Sequence, residues 1–219
     1  HMGRAEKVRA AAKAAGRTIG ILADLQGPKI RVRKFENDKV TLNPGDTFIL
    51  DAALDGLGNQ QHVGLDYKEL PNDVDVGTVL LLNDGMLEFH VTGVKGTEVY
   101  CKVVRGGVLS NNKGINRKGG GLTAPALTDK DKEDIKTAAL IKADFLAVSF
   151  PRNGDDMRLA RELMHAAGGK SLLMAKIERA EAIPALGDII EASDAIMVAR
   201  GDLSVEVGDA SVPGLQKRM

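Results

Sequence analysis

Two short apolar runs, within 172–177 and 195–199, flank a helical stretch and constrain the fold more than any other feature. Short unbroken apolar runs around a helix are typical of buried parallel strands in a βαβ unit. The first run ends with Lys176 and Glu178, and the second is followed by Asp202. Because the carboxyl ends of parallel strands meet on one side of a sheet, the sequence predicts that these three side chains gather at one rim.

The chemistry of these side chains indicates a divalent cation site. Residues two apart in a strand share a face, so Lys176 and Glu178 point the same way. The carboxylates of Glu178 and Asp202 repel each other unless a cation lies between them. Hard oxygen ligands with no Cys or His nearby favour Mg²⁺ or Mn²⁺ over zinc, and such a metal beside a lysine is typical of phosphoryl transfer or enolate stabilisation. The alternative is a structural ion pair at the end of the strands.

Composition argues against several classes of function. Lys plus Arg and Asp plus Glu both number 30, so no net charge favours nucleic acid or a membrane surface. Aromatic residues make up only 3%, which argues against base-stacking platforms. No apolar run approaches the roughly 20 residues that a membrane span needs. The single cysteine, Cys101, cannot form an internal disulfide, so we expect a cytoplasmic protein. The balanced charge, the few aromatic residues and the short apolar runs lead us to expect no nucleic-acid or membrane partner.

Helix and strand patterns on both sides of a β-rich block predict alternating strands and helices. The predicted helices cover 3–15, 128–142, 155–167 and part of 180–191, and the predicted strands cover 19–23, 145–149, 171–177 and 195–199. Thr128-Asp-Lys-Asp131 predicts a capping box at the start of the second helix. One apolar face is predicted for the first helix (Ala5, Val8, Ala11, Ala12, Ala15) and one for the third (Met157, Ala160, Met164, Ala167). These strands recur about every 25 residues in the second part of the chain, as in a (β/α)₈ barrel, but only about four of eight strands are present.

Between residues 31 and 118 the pattern changes to short strands separated by turn signals such as Asn43-Pro-Gly-Asp46. The predicted strands cover 39–42, 47–50, 79–82, 87–92 and 97–104. This spacing is typical of a small antiparallel barrel, and Gly119-Gly-Gly121 predicts a hinge after it. The expected fold is therefore α/β: a partial (β/α)₈ TIM barrel over 1–30 and 119–219, with a small antiparallel β-barrel domain inserted over 31–118.

Four motifs resemble those of pyruvate kinases, in the order and spacing of that family. They are Asp24-Leu-Gln-Gly-Pro-Lys-Ile-Arg31, Ser110-Asn-Asn-Lys-Gly-Ile-Asn116, Lys176-Ile-Glu178 and Met197-Val-Ala-Arg-Gly-Asp202. The resemblance implies a central fragment: part of the family's barrel domain and its inserted lid. It also implies phosphoryl transfer from phosphoenolpyruvate to ADP, giving pyruvate and ATP in glycolysis, by a homotetrameric full-length protein. The fragment alone is expected to be inactive, because the resemblance places phosphate-binding and proton-transfer groups outside it.

The resemblance assigns roles to individual residues. Lys176 would stabilise the phosphoryl group in transfer, and Glu178 and Asp202 would hold Mg²⁺ or Mn²⁺. The implied substrate site contains Lys176, Arg31, Ala199, Gly201, Asp202, Ser149 and Phe150; Lys113 and Arg31 would approach the nucleotide, and Asp24 would belong to the monovalent-cation site. Structural alternatives remain open, including a helix cap for Asp202, hinge hydrogen bonds for Asp24 and Arg31, a solvated loop for Lys113 and packing for Ser149 and Phe150.

Lys29 departs from the family pattern, since potassium-dependent members usually carry glutamate at this position. An ε-ammonium could replace K⁺ internally and supply its charge permanently. We therefore expect an enzyme that does not require K⁺. Two further departures are Asn83, where the lid motif usually has aspartate, and Ser204, where the barrel motif usually has glycine.

Two other functions remain open at the level of sequence. One is a different Mg²⁺-dependent barrel enzyme that binds oxoacids, such as an aldolase-type lyase, which shares the lysine and the acidic rim but not the inserted lid. The other is a binding module in which the β-rich block acts alone.

Overall fold

Helices alternate with parallel strands at both ends of the chain, and antiparallel strands dominate between them. The computed structural model describes residues 1–219. In chain order the elements are α1 (Met2–Ala14), β1 (Leu22–Asp24), β2 (Lys39–Leu42), β3 (Thr47–Asp51), β4 (His62–Gly64), α2 (Leu70–Asp73), β5 (Val79–Leu82), β6 (Leu87–Lys95), β7 (Glu98–Arg105), β8 (Gly107–Ser110), β9 (Ile115–Arg117), α3 (Asp129–Leu140), β10 (Phe145–Val148), α4 (Gly154–Ala166), β11 (Leu172–Ile177), α5 (Leu186–Glu191), β12 (Ala195–Val198), α6 (Arg200–Val207) and α7 (Val212–Arg218), with short 3-10 helices at Ala180–Ala182 and Asp209–Ser211.

The chain divides into two compact units. The first unit comprises His1–Pro28, Pro125–Ala199 and Met219. The second comprises Lys29–Ala124 and Arg200–Arg218. The predicted boundaries, 31–118 for the inserted domain and 119–219 for the continued barrel, do not coincide with these two units. The predicted domain boundaries therefore remain a proposal.

A four-stranded sheet in the order β1-β10-β11-β12 forms the centre of the first unit, and all its pairs are parallel. The strands are adjacent in the order in which they occur in the chain, as the right-handed βαβ pattern predicts. Three of the four residues predicted to form the apolar face of α4, Met157, Ala160 and Met164, are fully buried in the core of this unit, and the fourth, Ala167, is partly buried just after the helix. The sheet therefore places four carboxyl ends side by side along one edge.

Local capping sets where the helices of the first unit begin. The Thr128 side chain accepts a hydrogen bond from the Asp131 amide, and the Asp131 side chain accepts one from the Thr128 amide, which confirms the predicted capping box of α3. The Asn153 side chain caps α4 by accepting from the Asp156 amide. Just after the carboxyl end of α1, Gly16 has a φ of 62°, as expected of a helix-terminating glycine.

The first predicted strand and the first predicted helix face need correction. The strand was expected to be buried from residue 19, but β1 begins only at Leu22, and Ile19 is 54% exposed. β1 pairs only with β10, so its other edge has no strand neighbour to order residues before Leu22. Of the predicted apolar face of α1, only Ala5 and Ala12 are buried, whereas Val8, Ala11 and Ala15 are exposed.

The second unit is built mainly from antiparallel strands around a separate apolar core. Its larger sheet has the order β4-β3-β7-β6-β5-β9, in which only β3 and β4 pair in parallel, and β2 pairs with β8 in a two-stranded sheet. Phe48 and Phe89 meet edge to face at the centre, with ring centroids 5.8 Å apart. Short β-strands separated by turns are expected for 31–118 and are confirmed, but β4, β8 and β9 were not predicted. Closure of these strands into a small barrel remains a proposal.

The single cysteine lies in the apolar core of the second unit. Cys101 is fully buried in β7, and burial raises the pKa of its thiol to about 12, as expected of an inert core cysteine. Among residues 1–219, no helix combines the length and apolarity required to cross a membrane.

A polar cluster in the second unit joins α2 to the chain near residue 123. The Tyr67 hydroxyl donates to Asp73 Oδ2 at 2.6 Å, and the same carboxylate accepts from the amide and the hydroxyl of Thr123, both at 2.9 Å. Burial is the largest cause that raises the pKa of Tyr67, and the hydrogen bond to Asp73 raises it further, to about 12. Tyr67 therefore stays protonated, as a hydrogen-bond donor, throughout the neutral range.

Replacing Tyr67 by Phe should cost stability at pH 8 and remove a pH dependence at high pH. The lost hydrogen bond to a carboxylate is worth about 1–2 kcal/mol. Because the folded pKa lies above the unfolded value of 10.0, the contribution of Tyr67 is complete below pH 10 and is lost as pH rises towards 12. Urea unfolding of wild type and Tyr67→Phe at pH 8 and pH 11 measures this. The assignment is wrong if the difference between the two proteins does not shrink at pH 11.

Candidate active site

Four polar side chains meet at the carboxyl ends of β1, β10 and β11. Lys176 Nζ lies 3.0 Å from Glu178 Oε1, 3.2 Å from Asp24 Oδ1 and 3.0 Å from Ser149 Oγ. Because these three strands are parallel neighbours, residues far apart in the sequence arrive at one edge. Of the predicted trio of Lys176, Glu178 and Asp202, the first two are in contact, and Asp24 is a third member that was not predicted to join them. A shared site that includes Asp202 stays a prediction.

Burial and charge fix the state of the lysine. The side chain of Lys176 is 15% exposed and that of Glu178 only 1%. Burial by itself lowers the pKa of Lys176, but the carboxylates of Glu178 and Asp24 outweigh it, so this pKa lies above its ordinary value. The ammonium is therefore charged at neutral pH and sits between two carboxylates.

Backbone groups hold the two residues that face Lys176. Phe150 donates its amide N–H to Glu178 Oε2 at 2.9 Å, and its φ is 56°, an uncommon value for a bulky residue. The Ser149 hydroxyl donates to the Leu25 carbonyl at 2.7 Å, which leaves its lone pairs to accept from Lys176. Ser149 and Phe150 therefore take part in the cluster through direct hydrogen bonds, and their predicted contact with substrate stays a prediction.

Five other predicted site residues lie in the second unit: Lys29, Arg31, Lys113, Gly201 and Asp202. Lys29 Nζ lies 3.3 Å from Asp202 Oδ1, and Asp202 belongs to the first turn of α6. Arg31 is held by its amide, which donates to Asp66 Oδ1 at 2.7 Å, and by its guanidinium, which donates to the Asn112 carbonyl at 3.1 Å. Sequence reasoning missed Asp66, because an exposed loop aspartate 35 positions away carries no local signal of this bond.

For Lys113, Ala199 and Gly201, the observed features are backbone hydrogen bonds or helix membership. Lys113 follows the turn after β8, and its carbonyl accepts from the Val32 amide at 2.9 Å. The Ala199 amide donates to the Ile177 carbonyl at 3.2 Å, and Gly201 lies in the first turn of α6. These contacts leave the substrate and nucleotide roles of the three residues as predictions.

The predicted metal ligands chemically suit a hard divalent ion. Within residues 1–219, no group of three or more His, Cys, Asp or Glu side chains is arranged to hold a metal. Mg²⁺ commonly binds through only one or two carboxylates, with water and substrate phosphate oxygens completing its octahedron. A pair of carboxylates fits that habit, but Glu178 and Asp202 belong to different units, so their shared metal remains a prediction.

Comparison with known proteins identifies the family. The model of the pyruvate kinase barrel domain matches residues 1–219. The chain belongs to the pyruvate kinase family. It is 57% identical over 223 aligned positions to the pyruvate kinase of Haemophilus influenzae and 56% identical to pyruvate kinase II of Salmonella typhimurium, with 100% of this chain covered in both. A pyruvate kinase of Buchnera aphidicola is 53% identical.

The alignments show how much of a pyruvate kinase this chain represents. It covers 47% of the Haemophilus influenzae protein and 46% of the Salmonella typhimurium protein. The chain thus spans about half the length of the curated relatives it matches. The structure and the comparisons show its α/β fold and its family. The activity of the full-length protein remains a proposal.

Replacing Lys176 by Met should destabilise the first unit by about 3 kcal/mol, because Glu178 would stay buried after losing its ion pair with Lys176. The double variant Lys176→Met/Glu178→Gln should regain most of that loss, since the neutral amide does not need the lysine's charge. Urea unfolding of both variants measures the effect. Lys132→Met is the control: its exposed pair with Asp129 should change stability by less than about 1 kcal/mol. Equal losses for Lys176→Met and Lys132→Met would refute the buried pair.

Proposed function

We propose that the full-length protein containing this chain is a pyruvate kinase, a phosphotransferase that moves a phosphoryl group from phosphoenolpyruvate to ADP and yields pyruvate and ATP in glycolysis. The observation that carries the proposal is the charged Lys176 held at the carboxyl ends of three parallel strands, in a chain more than half identical to proteins named pyruvate kinase. The family match over residues 1–219 favours this function over an aldolase-type lyase or a binding module.

Lys176 supplies positive charge where the transferred phosphoryl group develops negative charge. Cations fixed in advance contribute most to such a step, because they do not need to reorganise as the charge moves. Glu178 and Ser149 hold the ammonium from two sides, and its raised pKa keeps it charged at neutral pH. In this proposal Lys176 contacts the reacting group, and Glu178 and Ser149 orient the ammonium group of Lys176.

Glu178 and Asp202 are the proposed ligands of Mg²⁺ or Mn²⁺. When bound, such an ion neutralises charge on the phosphoryl and enolate oxygens. Asp24 is proposed for the monovalent-cation site, and its contact with Lys176 supports a position beside the reacting groups. The remaining assignments follow the family resemblance: Ser149, Phe150, Ala199, Gly201 and Arg31 bind substrate, and Lys113 and Arg31 approach the nucleotide.

Residues 31–118 are proposed to form the family's inserted β-barrel lid, which excludes water from the transfer step. Exclusion matters here because hydrolysis is the competing reaction. The barrel strands of the first unit would belong to a TIM barrel completed by the remainder of the full-length protein. By the same resemblance we propose a cytoplasmic homotetramer.

Lys29 is proposed to make the enzyme independent of K⁺. The supporting observation is its ammonium 3.3 Å from the Asp202 carboxylate, which provides a permanent cation beside a proposed metal ligand. A glutamate at this position would reverse that charge and leave room for a monovalent cation to restore it.

The decisive test of function is a coupled assay of the full-length protein with phosphoenolpyruvate and ADP. Lys176→Met should lower kcat about 10³-fold, the loss typical of removing a preorganised charge. Lys132→Met, on the surface of α3, should leave kcat unchanged. No ATP formation by the wild-type full-length protein would refute the proposal, while none is expected from the 219-residue chain alone.

Exchange of the monovalent cation tests the role of Lys29. The wild-type full-length protein should be about equally active in buffers containing Na⁺ or K⁺ as the monovalent cation. Lys29→Glu should become dependent on K⁺, with at least about tenfold activation, because a mobile cation must then replace the lost ammonium. A strong K⁺ requirement in the wild-type enzyme would contradict this role.

A further inference from the structure

Asp131 uses its two carboxylate oxygens for different purposes. Oδ2 accepts from the amide of Thr128 at 2.9 Å and from its hydroxyl at 2.6 Å, which completes the α3 cap. Oδ1 accepts from the amide of Gly27 at 3.1 Å, 104 positions earlier in the chain. Asp131 is fully buried, so this second bond lies in the interior. A helix cap requires only one oxygen, and the bond to Gly27 therefore needs a separate explanation.

Gly27 presses directly on the turn that faces Lys176. Its φ is +67°, and a Cβ at this position would lie 2.8 Å from Ser149 Cβ and 2.9 Å from Phe150 Cδ2. Any other residue would have to push the Ser149–Phe150 turn away. The loop that Asp131 holds is thus in contact with the two residues that bond Lys176 and Glu178.

Phe150 requires such external support. A bulky residue in the left-handed region is strained and persists only where its surroundings fix it. At a φ of 56°, Phe150 presents its amide N–H to Glu178 Oε2 at 2.9 Å. Loss of this conformation would withdraw a hydrogen-bond donor from a carboxylate that is 1% exposed, which is costly in the interior.

We propose that Asp131 is a positioning residue for the Lys176–Glu178 pair, acting through Gly27 and the turn at Ser149–Phe150. The bond to Gly27 holds the loop against that turn, and the turn then aims the Ser149 hydroxyl at Lys176 and the Phe150 amide at Glu178. The positioning follows from the contacts alone, whereas its importance for catalysis rests on the proposed function. The α3 cap is therefore linked to the candidate active site by the hydrogen bond from Gly27 to Asp131 and by the close packing of Gly27 against the turn.

Residue-resolved hydrogen exchange on the 219-residue chain tests the positioning. Global destabilisation accelerates all core amides together, whereas a local effect changes Phe150 relative to Val148 in β10. Asp131→Ala should raise exchange at Phe150 at least tenfold relative to Val148. Thr128→Val is the matched control, because it weakens the cap but leaves the bond to Gly27, and it should not alter that ratio. An unchanged ratio in Asp131→Ala, or equal changes in both variants, would overturn the proposal.

Two milder variants keep the test informative if Asp131→Ala does not fold. Asp131→Asn preserves the volume but leaves one acceptor oxygen for two sets of donors, so the Phe150 ratio should rise less than in Asp131→Ala. Gly27→Ala crowds the turn directly and should change the same ratio. If neither variant moves it, the positioning role is wrong.

Mn²⁺ binding by the full-length protein, measured by electron paramagnetic resonance, connects the positioning to the site. Asp131→Asn should weaken Mn²⁺ binding about tenfold, and Thr128→Val should leave it unchanged. A response in hydrogen exchange without a response in Mn²⁺ affinity would confirm the positioning and count against Glu178 as a metal ligand. Absence of any Mn²⁺ binding by the wild-type protein would count against the proposed function alone.

Discussion

The ammonium of Lys176, held between two carboxylates and a hydroxyl, is the interaction on which the candidate site depends. It joins the carboxyl ends of three neighbouring parallel strands. A buried carboxylate such as Glu178 is tolerated only when it is paired and hydrogen-bonded. The same pairing that stabilises the buried carboxylate therefore also keeps a positive charge fixed at the carboxyl ends of the strands.

Precision at this site comes from the backbone around the charges. Ser149 and Phe150 follow β10 and turn through a left-handed conformation, so that a hydroxyl and an amide point at neighbouring members of the cluster. Gly27 allows a close approach that no side chain would permit. The site is therefore built from a loop and a turn that support each other, on a sheet that holds both in place.

Much of the fold and part of the site were predictable from the sequence. Apolar runs predicted the parallel strands, the Thr128–Asp131 pattern predicted the α3 cap, and the alternation of side chains along a strand predicted that Lys176 and Glu178 share a face. These predictions succeeded because each rests on residues close together in the chain. The start of β1 was wrong because strand order depends on a neighbouring strand, and β1 has such a neighbour on one side only.

The sequence by itself determined where the helices and parallel strands of the first unit occur, apart from the start of β1, which charged residues lie at the ends of those strands, and the family to which the motifs point. Only the tertiary structure decided their partners: Asp24 with Lys176, Gly27 with Asp131, and Lys29 with Asp202. Hydrogen bonds and ion pairs form between atoms about 3 Å apart, and chain separation says nothing about that distance. Such contacts depend on how the strands pair in the folded sheet, so patterns of neighbouring residues in the sequence cannot reveal them.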